Sequence, residues 1–197
     1  MADKILEGYA EAAESLTPRY DAIDPEQLYG AVLAHFPQKP SRILDIGAGT
    51  GRDAAWLAGR GHDVLAVEPV AAFRALGHAP KWLDDRLPAL RKTRASGRKF
   101  DFILLNAVFQ HVEPEARAEA MLNIAALLAD DGRIVMSLRH GPSAETRPAY
   151  PFETGEVEIL ATAGGLMKVF QHERGAVGVD NKAAGVRWVL LVLGWAA

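Results

Sequence analysis

Cysteine is missing from all 197 residues. Disulfides, thiolate zinc sites, iron–sulfur clusters and cysteine nucleophiles are therefore excluded together. Histidine is sparse, at positions 35, 62, 78, 111, 140 and 172, and no two are close enough to make a helical ligand pair. The expectation is a chain with no metal site of its own. No sign of charge dominates, with 22 Lys and Arg against 25 Asp and Glu. That balance argues against a protein held to nucleic acid by its overall field. No apolar run approaches the roughly 18–20 residues of a membrane span. The opening MADKILEGYAEAAE is acidic and helix-like rather than an apolar signal. The chain reads as soluble and cytoplasmic, without a membrane partner. Internal repeats, low-complexity stretches and a domain linker are also lacking. What is present is ample apolar matter, 49% of residues, enough for the core of one ordinary domain.

The apolar pattern changes period along the chain. Residues 3–16 follow helical spacing, with Ile5, Leu6, Tyr9, Ala13 and Leu16 near one face. Thr17-Pro18 is expected to interrupt this helix, making 17–24 a hinge. Asp24-Pro25-Glu26 starts a second helix over 25–36. From Arg42 onward short apolar strands alternate with helices. Strands are expected at 42–46, 63–67, around 81–83, at 100–105 and at 133–138, the last entered through an Asp131-Gly132 turn. Helices are expected at 52–60, from 70 to about 77, at 114–129 and at 156–163. This alternation predicts an α/β fold, doubly wound around a mainly parallel sheet. Residues 166–173 and 186–195 then read as two strands with no helix between them, hence an antiparallel hairpin. Residues 1–39 are expected to form a helical lid over a domain spanning 40–197.

The sharpest motif is Asp45-Ile46-Gly47-Ala48-Gly49-Thr50-Gly51, between the first strand and its helix. Such a loop lies at the carboxyl end of a parallel sheet, where ligands bind and glycine lets them approach the backbone. Glu68 ends the second strand, followed by Pro69, and a carboxylate there can accept from both hydroxyls of an adenosine ribose. A dinucleotide fingerprint needs G-x-G-x-x-G, whereas Arg52 stands at the third glycine's place. Asp45 suits a cofactor with an ammonium group and would repel a pyrophosphate. Two histidines follow strands at the same edge, His111 and His140, and are the candidates for a general base.

On these residues the chain resembles the class I S-adenosylmethionine-dependent methyltransferases. ILDIGAGTG resembles that family's first motif, VLAVEP its acidic second, and WLDDRLPAL the stretch after the third strand. FDFILLNAVFQHV and LADDGRIVMSLRH are similar to the fourth and fifth strands with their loops. The resemblance implies seven strands, the last antiparallel, and S-adenosyl-L-methionine as cofactor. It implies that Asp45, Gly47, Ala48, Gly49 and Gly51 frame the methionine moiety and that Glu68 holds the ribose. Asp84 or Asp85 would meet the adenine, the doublet leaving the choice open, and Asn106 would lie near the methyl. Arg19 and Tyr20 would close over the cofactor, Arg19 on its carboxylate.

The methyl acceptor is expected to be a small molecule, since only the lid and the 141–155 loop are available to shape its pocket. Six basic residues between Arg86 and Lys99 have no interleaved aromatics and read as a solvated face rather than an RNA surface. Two other classes stay open. One is a cofactor-binding regulator or partner subunit without catalysis; the other is a nicotinamide oxidoreductase. A methyltransferase acting on RNA or protein remains the variant within the class, and the chain is expected as a monomer or homodimer.

Overall fold

The computed structural model describes residues 2–175 and 183–196. Strands β1 (Arg42–Ile46), β2 (Asp63–Val67), β3 (Trp82–Leu83), β4 (Phe100–Asn106), β5 (Leu128–His140), β6 (Leu166–Gly175) and β7 (Arg187–Trp195) form one sheet. Its order is β3-β2-β1-β4-β5-β7-β6. The first five strands are parallel, and β7 runs antiparallel to both β5 and β6. The connection between β6 and β7, expected to be free of helix, includes residues 176–182, which lie outside the described residues.

The central strands are apolar on both faces because both are covered. Leu44, Ile46, Leu105, Ile134 and Met136 join one buried cluster. Their neighbours Ile43, Leu104 and Val135 join another with Tyr29, Phe36 and Leu57, the alternation that a strand imposes. Helices α2 (Pro25–Tyr29), α3 (Arg52–Gly59), α4 (Ala71–Leu76), α5 (Arg91–Ala95), α6 (Arg117–Ala125) and α7 (Thr154–Ala163) fill the connections.

The expected break at Thr17-Pro18 is not there. Helix α1 runs unbroken over Asp3–Asp21. Pro18 removes one backbone donor, but it lies in the last turn, and the Thr17 hydroxyl donates to the Ala13 carbonyl at 2.8 Å. Ala13 and Leu16 pack on Val70 and Phe73 beside α4, which holds the helix through its proline. The expected helix at 25–36 is one turn of α2 followed by a 3₁₀ segment at Gly30–His35. The helix expected at 114–129 is a 3₁₀ turn at Pro114–Ala116 followed by the shorter α6.

Strand β5 starts earlier than its apolar run suggests. Leu128 pairs with Phe100, and pairing resumes at Arg133 with Phe102. Asp131-Gly132 therefore lies inside a wide bulge rather than in a turn before the strand. Glycine fits there, because a Cβ would approach the Ala129 carbonyl oxygen to 2.9 Å as well as the Leu128 side chain.

Two segments roof the carboxyl end of the sheet: α1 and the loop 141–153. They touch at Gly8, where a Cβ would approach the Thr146 carbonyl oxygen to 2.0 Å. Buried Arg117 anchors the loop from α6, donating to the Tyr150 and Pro151 carbonyls and pairing with Glu156 at 2.8 Å. The basic segment of 86–99 is distributed over separate surface pairs, Arg86 with Asp3 and Arg98 with Asp63 among them. Among the described residues no helix is long and apolar enough to cross a membrane. Nor do any three acidic or histidine side chains there cluster to hold a metal ion.

Candidate active site

Beneath that roof lies a cavity of about 590 Å³, a size ordinary for a cofactor or substrate site. Its first end is built by β1, β2 and the loops that follow them. The chain leaving β1 turns back on β2, with the Gly47 and Ala48 amides donating to the Val67 carbonyl. Gly47 and Gly49 both adopt positive φ, which glycine tolerates best. They differ in surroundings. A Cβ at Gly47 would strike Val108 at 2.5 Å, whereas one at Gly49 would meet nothing within 4 Å. The backbone at Gly49 thus opens onto the cavity.

Glu68 and Asp45 are the acids of this end, both buried. Glu68 accepts from the Gly49 and Val70 amides, each at 2.8 Å. Burial nevertheless pushes its carboxyl up to about 7. Asp45 is held well above the usual carboxylate range, first by burial and then by the nearby Asp53 charge. Its Oδ2 has no hydrogen-bond partner. A buried carboxylate oxygen without a donor is costly unless a ligand supplies one.

Three residues that sequence reasoning missed organise this end. Asp53, in the first turn of α3, accepts from Arg52 Nε and Nη2, from the Tyr29 hydroxyl at 2.6 Å and from Asn106 Nδ2 at 3.2 Å. Arg52 also donates to the Tyr20 carbonyl at 2.8 Å. With the Thr50 hydroxyl on Asp21 at 2.6 Å, it ties the end of α1 over the glycine loop. An acid and a base directly after a glycine loop were the available signal. In the sequence pattern Arg52 stands out only as the residue that breaks a dinucleotide fingerprint.

The roof brings Tyr9 and Tyr20 to His111. His111 Nδ1 lies 2.9 Å from the Pro148 carbonyl, which can only accept, so Nδ1 carries the proton. Nε2 is then an acceptor, and the Tyr9 hydroxyl donates to it at 2.9 Å. Tyr20 lies near enough to Tyr9 for each to act on the other's hydroxyl electrostatically. Burial lowers the proton affinity of His111, and Arg139 and Arg147 add to the effect. Desolvation pushes the Tyr9 phenol upward.

The second end of the cavity is formed by β5, β7, β6 and the loop. Arg139 on β5 and Arg174 on β6 both pair in register with Trp188 on β7. The three side chains therefore stand side by side on one face of the sheet. Arg147 reaches in from the loop, its guanidinium 5.4 Å from the Tyr9 ring centroid.

Of the residues singled out in the sequence, Arg19, Tyr20, Asp45, Gly47, Ala48, Gly49, Glu68, Pro69, Asn106 and His111 all line this cavity. Gly51, Asp84, Asp85 and His140 do not. Gly51 starts α3 and packs elsewhere, its absent Cβ 2.8 Å from Trp82. Asp84 is exposed, within 3.7 Å of Arg74 and Lys92. Asp85 turns its carboxylate onto the Thr93 amide and hydroxyl, both at 2.8 Å. His140 is one residue beyond Arg139 on β5, so strand alternation turns it to the opposite face. There it packs on Phe152 at 5.0 Å and meets the Thr154 hydroxyl at 3.2 Å.

Comparison with known proteins agrees with this geometry. The profile of the methyltransferase domain family matches residues 20–174. An uncharacterized methyltransferase of Staphylococcus carnosus is 33% identical over 138 residues, 65% of this chain and 66% of that protein. The chain thus spans just under two thirds of that relative's length. A 1,6-didemethyltoxoflavin N1-methyltransferase of Burkholderia thailandensis, solved with its acceptor and S-adenosylhomocysteine, shares the fold. Its TM-score is 0.73 at 21% identity, over 98% of this chain and 88% of that one. An N-methyltransferase of Bradyrhizobium japonicum in complex with S-adenosylhomocysteine also scores 0.73, at 15% identity over 99% of this chain and all of that one. With the profile covering most of its length, the chain belongs to the methyltransferase domain family.

Proposed function

We propose that this chain uses S-adenosyl-L-methionine to methylate a small-molecule acceptor by in-line displacement inside the roofed cavity. The observation that carries the reading is the unpartnered Oδ2 of buried Asp45 beside the open backbone of Gly49 and the Glu68 carboxylate. These residues fit the cofactor. Asp45 would receive its ammonium group, Glu68 the ribose hydroxyls next to Pro69, and Gly47, Ala48 and Gly49 the backbone-lined passage between. Arg19 and Tyr20, from α1, would cover its carboxylate end. When bound, the cofactor supplies a methyl already activated on a sulfonium.

The chain's own part is then alignment and proton handling. Asn106, held by Asp53, sits at the end of β4 beside Gln110 and Ser137 and would orient the acceptor. Neutral His111 keeps the lone pair on Nε2 aimed at Tyr9. An acceptor that loses a proton on methylation would pass it to the Tyr9 oxygen as Tyr9 passes its own to His111. Residues 1–39 act in this reading as the lid, with α1 excluding water from the transfer. The cavity's volume and its closure by two short segments favour a small acceptor.

Calorimetric titration tests the reading. S-adenosylhomocysteine is expected to bind in the micromolar range, about 8 kcal/mol, and NAD to give no heat. Binding of NAD without S-adenosylhomocysteine would overturn it. A screen of cell extract with methyl-labelled cofactor then finds the acceptor.

A further inference from the structure

The second end of the cavity has a chemistry that the cofactor does not account for. Arg139, Arg147 and Arg174 line it, and among the described residues none of the three forms an ion pair. Arg139 Nη1 has the Gly141 carbonyl at 3.1 Å. Arg147 Nη1 and Arg174 Nε are buried without a hydrogen-bond partner. Desolvation depresses the proton affinity of Arg139 and of Arg174. The three side chains are half-buried; partly desolvated guanidiniums without a counter-charge are unfavourable, and the fork geometry of arginine matches carboxylate and phosphate oxygens. The lining acids, Asp45, Asp53 and Glu68, belong to β1, α3 and the end of β2, on the other half of the sheet.

Two neutral features complete the pocket. Trp188 lies between Arg139 and Arg174 in register, presenting a flat apolar surface flanked by cations. Ser137, two residues before Arg139 and on the same face of β5, has a buried hydroxyl with no partner. Arg139 and Arg147 also act electrostatically on both Tyr9 and His111, so this pocket adjoins the proposed proton path.

We propose that the methyl acceptor carries an oxyanion group, carboxylate or phosphate, seated by Arg147, Arg139 and Arg174, with its apolar body on Trp188. The proposal rests on the cofactor reading above, because it assigns the remaining part of the same cavity to the acceptor. It predicts acidic acceptors and rejects cationic ones.

The test uses the full chain saturated with S-adenosylhomocysteine, titrated at constant ionic strength with benzoate, phenyl phosphate, benzamide and benzamidine. Benzoate or phenyl phosphate is expected to bind, with benzamide at least about tenfold weaker and benzamidine giving no heat. The tighter of the two anions identifies the group as carboxylate or phosphate. Arg147→Met and Arg174→Met are each expected to weaken the anion at least about tenfold while S-adenosylhomocysteine stays within about twofold. Equal binding of benzoate, benzamide and benzamidine would overturn the proposal, as would anion binding untouched by both variants. If S-adenosylhomocysteine itself gives no heat, the cofactor reading falls. The same anion series on the chain alone then decides the arginine site: binding lost in Arg147→Met supports it, and absence of binding overturns it.

Discussion

The two ends of the cavity are built in opposite ways. The end at β1 and β2 is acidic, made of residues close in sequence, and rigidly bonded to its own backbone and to Asp53. The end at β5, β7 and β6 is cationic, made of residues from three distant segments, and leaves Arg147 Nη1, Arg174 Nε and the Ser137 hydroxyl without partners. One end holds carboxyls that burial makes reluctant to ionise; the other holds cations without counter-charge. On the readings proposed above, the contrast would separate two ligands by charge: an ammonium and hydroxyls on one side, an oxyanion on the other.

Asp45→Asn strikes the acidic end hardest. Removing one partner of a buried pair costs about 3–5 kcal/mol, so S-adenosylhomocysteine affinity is expected to fall about 150- to 5,000-fold by calorimetry. An unchanged constant would mean that the orphaned oxygen of Asp45 does not meet the ammonium. Glu68→Ala is expected to weaken the same binding about 10- to 100-fold, the loss of charged hydrogen bonds of about 1.5–3 kcal/mol.

Glu68 also gives the contrast a pH signature. Its folded carboxyl is raised from 4.5 to about 7. The stability it carries is therefore full below pH 4.5 and is lost as pH rises through 7, by about 3 kcal/mol. Relative to the wild type, Glu68→Gln is expected to gain that amount in denaturant unfolding between pH 4.5 and 8. A flat difference would contradict the burial of the charge. Affinity for S-adenosylhomocysteine moves the other way, rising as pH passes about 7 and the carboxylate forms.

Asp85→Ala and Asp84→Ala test what lies outside the contrast. Asp85 satisfies two buried donors of Thr93, so its loss is expected to cost about 2 kcal/mol of stability with no change in cofactor affinity. Tyr9→Phe, where the two ends meet, leaves His111 Nε2 unpaired and is expected to cost about 1 kcal/mol. Its cofactor affinity stays within about threefold; a larger drop would move Tyr9 to the acidic end. Asp84→Ala, with only exposed pairs at 3.7 Å, is expected to change stability by less than about 0.5 kcal/mol. A marked loss of cofactor affinity in this last variant would return Asp84 to the adenine.

The acidic end was legible in the sequence because it is local. A strand, a glycine loop and an acid ending the next strand lie within 27 residues from Arg42 to Glu68, and each constrains the backbone of the next. The cationic end was not, because positions 139, 147 and 174 meet only through the register of β5, β7 and β6 around Trp188. His140 shows a signal that was present and unused. Ser137 and Arg139 share one parity along β5, while Met136, Leu138 and His140 share the other, which packs on the Phe152 side. The break expected at Thr17-Pro18 failed for a tertiary reason, the packing of Ala13 and Leu16 on Val70 and Phe73, which local propensity does not contain.

Gly8 has a consequence for timing. The two halves of the roof meet there with no side chain between them, the Thr146 carbonyl occupying the space a methyl would need. If α1 parts from the loop when a ligand enters or leaves, the contact broken at Gly8 is backbone against backbone. In that case residue 8 sets the spacing between the two segments. A methyl group there would wedge the halves apart and shorten the dwell time of both ligands, an effect read in dissociation rates rather than in the bound geometry.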